Sequence, residues 1–214
     1  MNYSQMLVYS LEIIGTIAFA FSGALLGIQR KMDIFGVNVL GLTTAIGGGI
    51  VRDLILGINP PNTFCHPSYT IYALITSTFM FIVVYMHREL IDDAHLEKYN
   101  RYINVMDAIG LGAFTVIGIN TAIQASFGEN YFLLIFVGAV TGVGGGLMRD
   151  VMAGVTPYIF TRHVYACASL LGAIVCVVAR NFMWNSLALI LGAAVTILMR
   201  FLAAHYRWNL PKIQ

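Results

Sequence analysis

The stretch Gly47–Asp53 reads Gly-Gly-Gly-Ile-Val-Arg-Asp, and Gly144–Asp150 repeats it 97 residues later as Gly-Gly-Gly-Leu-Met-Arg-Asp. Each copy lies in an apolar run long enough to cross a membrane. Glycine lowers helix propensity by about 1 kcal/mol relative to alanine, and a charge at the bilayer centre costs roughly 2.5–3.5 kcal/mol. Two copies of so costly a motif indicate a functional site rather than lipid-facing filler.

The composition is that of a polytopic membrane protein. The chain has 214 residues, of which 58% are hydrophobic and 10% charged, whereas soluble domains carry about 25% charged residues. The net charge of +2 comes with no basic tract for nucleic acid, and Cys65, Cys167 and Cys176 lack metal-ligand spacing. We therefore predict no cofactor, no metal and no nucleic-acid partner. No basic region precedes the first apolar run, which argues against a cleaved signal peptide.

Seven apolar spans follow one another along the chain. Gly57 followed by Pro60-Pro61 predicts the end of the second span, and Pro157 that of the fifth. The spans cover about residues 6–28, 34–57, 69–86, 108–125, 131–154, 164–179 and 184–199. We expect a single membrane domain over residues 1–214. Its parts are a first three-helix repeat (1–86), a polar connector (87–102), a second repeat (103–180), a seventh helix (181–204) and a tail (205–214).

An internal repeat relates the two halves. Residues 41–60 and 138–157 are identical at nine of 20 aligned positions, and an upstream shift of 95 pairs Glu12 with Asp107. Because each unit holds three crossings, the second unit must be inverted in the membrane relative to the first. Inverted repeats are typical of transport proteins. The prediction is an all-α integral membrane protein of seven transmembrane helices, in which spans 1–3 and 4–6 form an inverted repeat and the seventh lies outside it.

Lysine and arginine residues fall mainly on one side of the predicted membrane. Without the motif residues Arg52 and Arg149, nine lie on one side, Arg200 among them, and only Arg180 on the other. Cytoplasmic loops carry the excess of these residues. We predict that the N-terminus faces outside and that the tail from about His205 faces the cytoplasm.

The motif suggests an ion or substrate pathway. Each glycine triplet is expected to break or kink its helix, because glycine has neither side-chain bulk nor a restricted φ. Arg and Asp would then fall in the first turn of a second half-helix, with Asp at the positive dipole end and Arg donating to freed carbonyls. The candidate pathway residues are Thr44, Gly47, Gly48, Gly49, Arg52, Asp53, Thr141, Gly144, Gly145, Gly146, Arg149 and Asp150.

A structural interpretation of the same residues stays open. The triplets could serve only close helix packing, with each Arg-Asp an internal ion pair. Glu12 and Asp107 are secondary candidates for proton or cation sites, and otherwise interfacial carboxylates or helix caps. Gly23-x-x-x-Gly27 favours a packing surface. His66 and His163 are not expected to bind metal.

The doubled Gly-Gly-Gly-x-x-Arg-Asp motif, in a seven-span chain of this length, resembles the prokaryotic branch of the trimeric intracellular cation (TRIC) channel family. The resemblance covers essentially the whole chain. It implies a homotrimer in the prokaryotic plasma membrane, with one pore per protomer between kinked helices two and five, conducting monovalent cations and potassium above all. Some bacterial members are regarded as glycine transporters. The animal branch has Lys-Glu-Val in place of a triplet, so its lipid gating and calcium-store roles do not carry over.

Two functions remain open from the sequence. In a passive cation channel, the Arg-Asp pairs shape the constriction and neutralise each other. In a glycine carrier, Asp faces the substrate ammonium and Arg its carboxylate. An enzyme is not supported, because no nucleophile-base spacing and no metal cluster occurs in the sequence.

Overall fold

The computed structural model describes residues 3–87, 96–161, 164–206 and 208, and within them every regular element is a helix. Half of the predicted connector therefore lies outside the described residues, as do His163 and most of the tail. The α-helices are α1 (Tyr3–Gln29), α2 (Ile34–Ile55), α3 (Asn62–Cys65), α4 (Ser68–Met86), α5 (Leu96–Ala122), α6 (Tyr131–Met152), α7 (Tyr158–Thr161), α8 (Tyr165–Ala179) and α9 (Asn185–His205). Beyond α5 the chain continues through a kinked segment, Ile123–Phe127, in which Ala125 and Ser126 do not have helical backbone angles.

Six of these helices are long and apolar enough to cross a membrane, namely α1, α2, α4, α5, α6 and α9. The apolar helix α8 has 15 residues, about 22 Å at 1.5 Å per residue, which is less than the roughly 30 Å hydrocarbon core. Each predicted span overlaps one of these seven helices. The protein is therefore an all-helical, multi-pass membrane protein.

Two boundaries differ from the prediction. Helix α5 begins at Leu96, inside the predicted connector. Helix α9 continues to His205, six residues past the end of the predicted apolar span 184–199 and one residue past the predicted seventh helix 181–204. Arg200 therefore lies within α9, as the predicted seventh helix 181–204 implies, and it is 4% exposed, so it does not belong to a loop on either side of the membrane. Without it, the lysine and arginine count is eight against one, so the predicted orientation is unchanged.

Of the two alternatives predicted at each triplet, the break is wrong, and the kink stays a prediction. Helix α2 is continuous through the first triplet, and helix α6 is continuous through the second. The left-handed backbone comes only afterwards, at Gly57 (φ +71°) and Gly154 (φ +65°). In an apolar environment an interrupted helix leaves unsatisfied backbone groups, which outweighs the low helix propensity of glycine. Each Arg-Asp pair accordingly lies at the C-terminal end of a continuous helix, not in the first turn of a half-helix.

The triplets instead bring two helices into backbone contact. A methyl group at Gly48 would lie 2.3 Å from the Thr141 carbonyl oxygen, and one at Gly145 would lie 2.2 Å from the Thr44 carbonyl oxygen. Even alanine would therefore clash with backbone at either position. The middle glycine of each triplet therefore allows close helix packing, which is the structural interpretation that the sequence left open.

A second crossing, between α1 and α5, completes the centre of the fold. Phe19 packs on Gly110 and Phe114 on Gly15, with the two ring centroids 5.2 Å apart. Gly23 on α1 lies against Thr44 on α2, so the predicted packing role of Gly23-x-x-x-Gly27 is confirmed. The α1/α5 and α2/α6 crossings place the C-terminal ends of α2 and α6, and thus both Arg-Asp pairs, beside carboxylates of α1 and α5.

Candidate functional site: two buried charge clusters

Arg149 is the centre of the more buried cluster. Its side chain is fully buried, its Nε donates to Asp150 Oδ1 over 2.8 Å, and its Nη1 donates to Asp107 Oδ1 over 2.6 Å. Nη1 also donates to the Ser22 hydroxyl. Arg149 therefore ties α6 to α5 and α1 through charge-assisted hydrogen bonds, the stronger kind.

Aromatic rings extend this network. The Arg149 guanidinium lies 5.1 Å from the centre of the Tyr158 ring, and the Arg200 guanidinium 4.7 Å from that of Tyr165. A methyl group at Gly146 would meet both the Tyr165 hydroxyl and Asp107, so these two groups face each other across a glycine. We name Asp107, Arg149, Asp150, Tyr165 and Arg200 the Arg149 cluster.

The first copy of the motif builds a looser cluster. Arg52 Nε donates to Asp53 Oδ1 over 2.8 Å, as in the second copy. Glu12, at the position equivalent to Asp107, instead accepts a hydrogen bond from the Tyr69 hydroxyl, and no ion pair joins Arg52 to Glu12 within residues 3–87. Glu12 and Tyr69 are both half-buried. We name Glu12, Arg52, Asp53 and Tyr69 the Arg52 cluster.

The aspartates also fasten the chain beyond each helix end. Asp53 Oδ2 accepts from the Asn62 backbone N–H over 2.7 Å, and Asp150 Oδ2 accepts from that of Tyr158 over 2.8 Å. Each carboxylate thus holds the first residue of the short helix that follows the proline stop. The arginines donate to these aspartates through Nε, where the sequence suggested freed carbonyls as their partners.

The structure also places the remaining candidates. The Thr44 and Thr141 hydroxyls are buried and donate to the Leu40 and Val137 carbonyls of their own helices, both over 2.6 Å. Asp107 is buried inside α5 and ion-paired, so an interfacial or capping role is wrong for it. Pathway roles for the threonines, the triplets and the Arg-Asp pairs stay predictions.

Sequence reasoning missed three members of the clusters. Tyr69 and Tyr165 are 96 residues apart, between the two repeat shifts of 95 and 97, and this spacing could have identified them as an equivalent pair. Arg200 stands at the end of the last apolar run as its only charge. A charge in an apolar span is a signal of a partner inside the protein.

This fold and its clusters define a multi-pass helical membrane protein with charged groups held inside the helix bundle. The chain belongs to the glycine transporter family, whose profile matches residues 9–85 and 104–181, and the resemblance to the prokaryotic TRIC channels is confirmed by the solved structures it matches.

Relatives of known sequence match over nearly their full length. The chain is 39% identical over 208 residues to the UPF0126 inner membrane protein YadS of Escherichia coli, covering 96% of each chain. It is 33% identical over 201 residues to the UPF0126 membrane protein YvgT of Bacillus subtilis, covering 94% of each.

Solved structures match equally well. A prokaryotic TRIC channel crystallised in 0.5 M KCl superposes with a TM-score of 0.85 at 32% identity, over 96% of this chain and 100% of that one. The TRIC orthologue from Rhodobacter sphaeroides gives 0.83 at 32% identity, over 94% and 98%. The trimeric intracellular cation channel of C. elegans shares only the fold, with a TM-score of 0.58 at 13% identity.

Proposed function

We propose that the protein is a passive channel for monovalent cations, potassium foremost, with one pathway per protomer between α2 and α6. The observation that carries the proposal is the placement of two charge clusters at the C-terminal ends of these two helices, in a fold shared with prokaryotic cation channels. Ionisable residues inside a membrane bundle are costly and mark ion or substrate pathways.

The α2/α6 crossing is the natural place for such a pathway to open and close. In this conformation the helices touch through backbone at Gly48 and Gly145, which leaves no passage between them there. Glycine-to-backbone contact has no interlocking side chains, so a small separation of the helices opens it. The proposed lining is Thr44, Thr141 and the triplets, with Arg52, Asp53, Arg149 and Asp150 at the two ends.

The architecture proposed with this function is the inverted repeat of three plus three helices, with α9 outside it. The two separate matches of the family profile, 9–85 and 104–181, support two equivalent units. The excess of lysine and arginine on one side supports an N-terminus outside and a cytoplasmic tail. A homotrimer in the plasma membrane is proposed because the solved relatives are named trimeric channels and YadS an inner membrane protein.

A glycine carrier is the second candidate, and the family description favours it. Its substrate would need an arginine free to bind a carboxylate. Arg149 is already engaged by Asp107, Asp150 and Ser22, which leaves Arg52 as the candidate. Arg52 in turn donates to Asp53, and the solved relatives that share this fold are cation channels, which together favour the channel.

The test is reconstitution into liposomes, with potassium flux and labelled glycine uptake measured on the same preparation. A channel gives rapid potassium flux and no saturable glycine uptake. Arg52→Lys should retain much of that flux, because lysine keeps the positive charge beside Asp53. A carrier gives the reverse: saturable glycine uptake that Arg52→Lys abolishes, since lysine does not reproduce a bidentate guanidinium contact.

A further inference from the structure

The two clusters differ in their balance of charge. The Arg149 cluster holds two carboxylates, Asp107 and Asp150, and two guanidinium groups, Arg149 and Arg200. Arg200 comes from α9, which lies outside the repeated part of the sequence. It stacks on Tyr165, whose hydroxyl lies beside Asp107. Counted over these four side chains, the formal charges balance.

The Arg52 cluster has the same two carboxylates and one cation fewer. Its only arginine, Arg52, is paired with Asp53. The remaining carboxylate, Glu12, receives a hydrogen bond from the neutral Tyr69 hydroxyl. The exposed side chain of His66 also lies near Glu12. Counted over Glu12, Asp53 and Arg52, this cluster thus has one carboxylate more than it has guanidinium groups.

Tyrosine rings and hydroxyl groups lie near the Glu12 carboxylate. The Tyr9 and Tyr69 rings lie with centroids 6.2 Å apart, and the Tyr9 hydroxyl lies 3.4 Å from that of Tyr72. Aromatic faces attract cations, and phenol and carboxylate oxygens suit hard cations. Glu12 is also only half-buried, so a small ion has a route to it, whereas Asp107 is sealed beneath Arg149.

We propose that the Arg52 cluster binds one compact monovalent cation at the Glu12 carboxylate, in the role that Arg200 fills in the Arg149 cluster. The cation is a potassium ion or the ammonium group of a small zwitterion such as glycine. Which of these two cations binds depends on the proposed function. The site itself follows from the missing charge, the Tyr69 hydrogen bond and the adjoining rings.

The test is thermal unfolding of the purified full-length protein in detergent, at one ionic strength, in potassium chloride, in N-methyl-glucamine chloride, and in the latter with glycine. A ligand that binds only the folded state raises the midpoint. The wild type should unfold a few degrees higher in potassium chloride than in N-methyl-glucamine chloride. Glu12→Gln should lose this shift, and Glu12→Asp should keep part of it.

The baseline stability separates a binding role from a structural one. In N-methyl-glucamine chloride, Glu12→Gln should be at least as stable as the wild type, because it removes a half-buried carboxylate that has no ion-pair partner among the described residues. Asp107→Asn should be less stable in every buffer and should retain the potassium shift. A potassium shift that persists unchanged in Glu12→Gln overturns the proposal.

The remaining outcomes separate the site from the proposed function. A Glu12-dependent shift with glycine but not with potassium places an ammonium group at the site and points to the carrier. A Glu12-dependent potassium shift in a protein that passes no potassium in liposomes keeps the site and rejects the channel. Equal midpoints for the wild type in all three buffers overturn the site, whatever the flux.

Discussion

The same seven-residue motif builds two clusters with different properties. In both, Arg donates to the next residue's carboxylate over 2.8 Å, and that carboxylate holds the backbone N–H of a short helix beyond the proline stop. The carboxylate from the preceding repeat helix differs: Asp107 pairs with Arg149, whereas Glu12 bonds Tyr69. The comparison shows that the motif itself fastens the short helix that follows it. The residues around the motif decide whether the neighbouring carboxylate is fully buried in an ion pair, like Asp107, or only half-buried, like Glu12.

The largest difference is expected on removing each arginine. Arg149→Met leaves Asp107 and Asp150 buried without their cation, and breaking a buried pair costs about 3–5 kcal/mol. Arg52→Met is the matched control, because Arg52 has one ion-pair partner within the described part of the chain and is 6% exposed, and it should cost clearly less. Denaturant unfolding in mild detergent measures both. Equal losses would mean that the clusters are energetically equivalent.

The crossing of α2 and α6 should respond equally from both sides. Gly48→Ala and Gly145→Ala each force a methyl group onto a carbonyl oxygen, and overpacking of this kind costs typically about 1–3 kcal/mol. Gly49→Ala is the control, since the nearest atom to its new methyl group is 3.7 Å away. It should be neutral or stabilising by up to about 1 kcal/mol.

Thermal unfolding of these three variants measures the effect. If Gly49→Ala destabilises the protein as much as Gly48→Ala does, the triplet acts through chain flexibility and not through close contact. Potassium flux should fall in Gly48→Ala and Gly145→Ala and persist in Gly49→Ala, because only the first two alter the crossing.

The smallest effect is expected on removing one tyrosine hydroxyl from each cluster. Here the Arg52 cluster should lose more stability than the Arg149 cluster, the reverse of the order expected for the arginines. Tyr69→Phe removes the hydrogen bond that Glu12 receives, at a cost of about 1 kcal/mol. Tyr165→Phe keeps the ring beneath Arg200, and Asp107 keeps its ion pair with Arg149, so it should cost less. The two unfolding midpoints decide the order. A larger loss in Tyr165→Phe would mean that its hydroxyl, not Arg149, holds Asp107.

Much of this arrangement follows from the sequence. The repeat placed Glu12 and Asp107 in equivalent positions, and Gly57 and Pro157 marked the two stops. The helix break at the triplets did not occur because propensities measured in water ignore the cost of unsatisfied backbone in an apolar interior.

The pairing within each cluster was beyond sequence reasoning. Arg200 reaches Tyr165 only because α8 and α9 pack side by side, a tertiary contact that no local pattern specifies. Aspartate at position 107 ion-pairs with its arginine, whereas the longer glutamate at position 12 bonds a tyrosine. Whether a carboxylate binds an arginine or a tyrosine depends on the distance between the packed helices, and the motif does not predict that distance.

Electrical recording from the reconstituted protein in a planar bilayer tests the central claim most directly. Under a potassium chloride gradient, with no proton or sodium gradient, a passive cation channel gives unitary currents that reverse near the potassium equilibrium potential. Added glycine should leave the currents unchanged. A bilayer that stays electrically silent, while the same preparation accumulates glycine with saturation, would contradict the channel and establish the carrier.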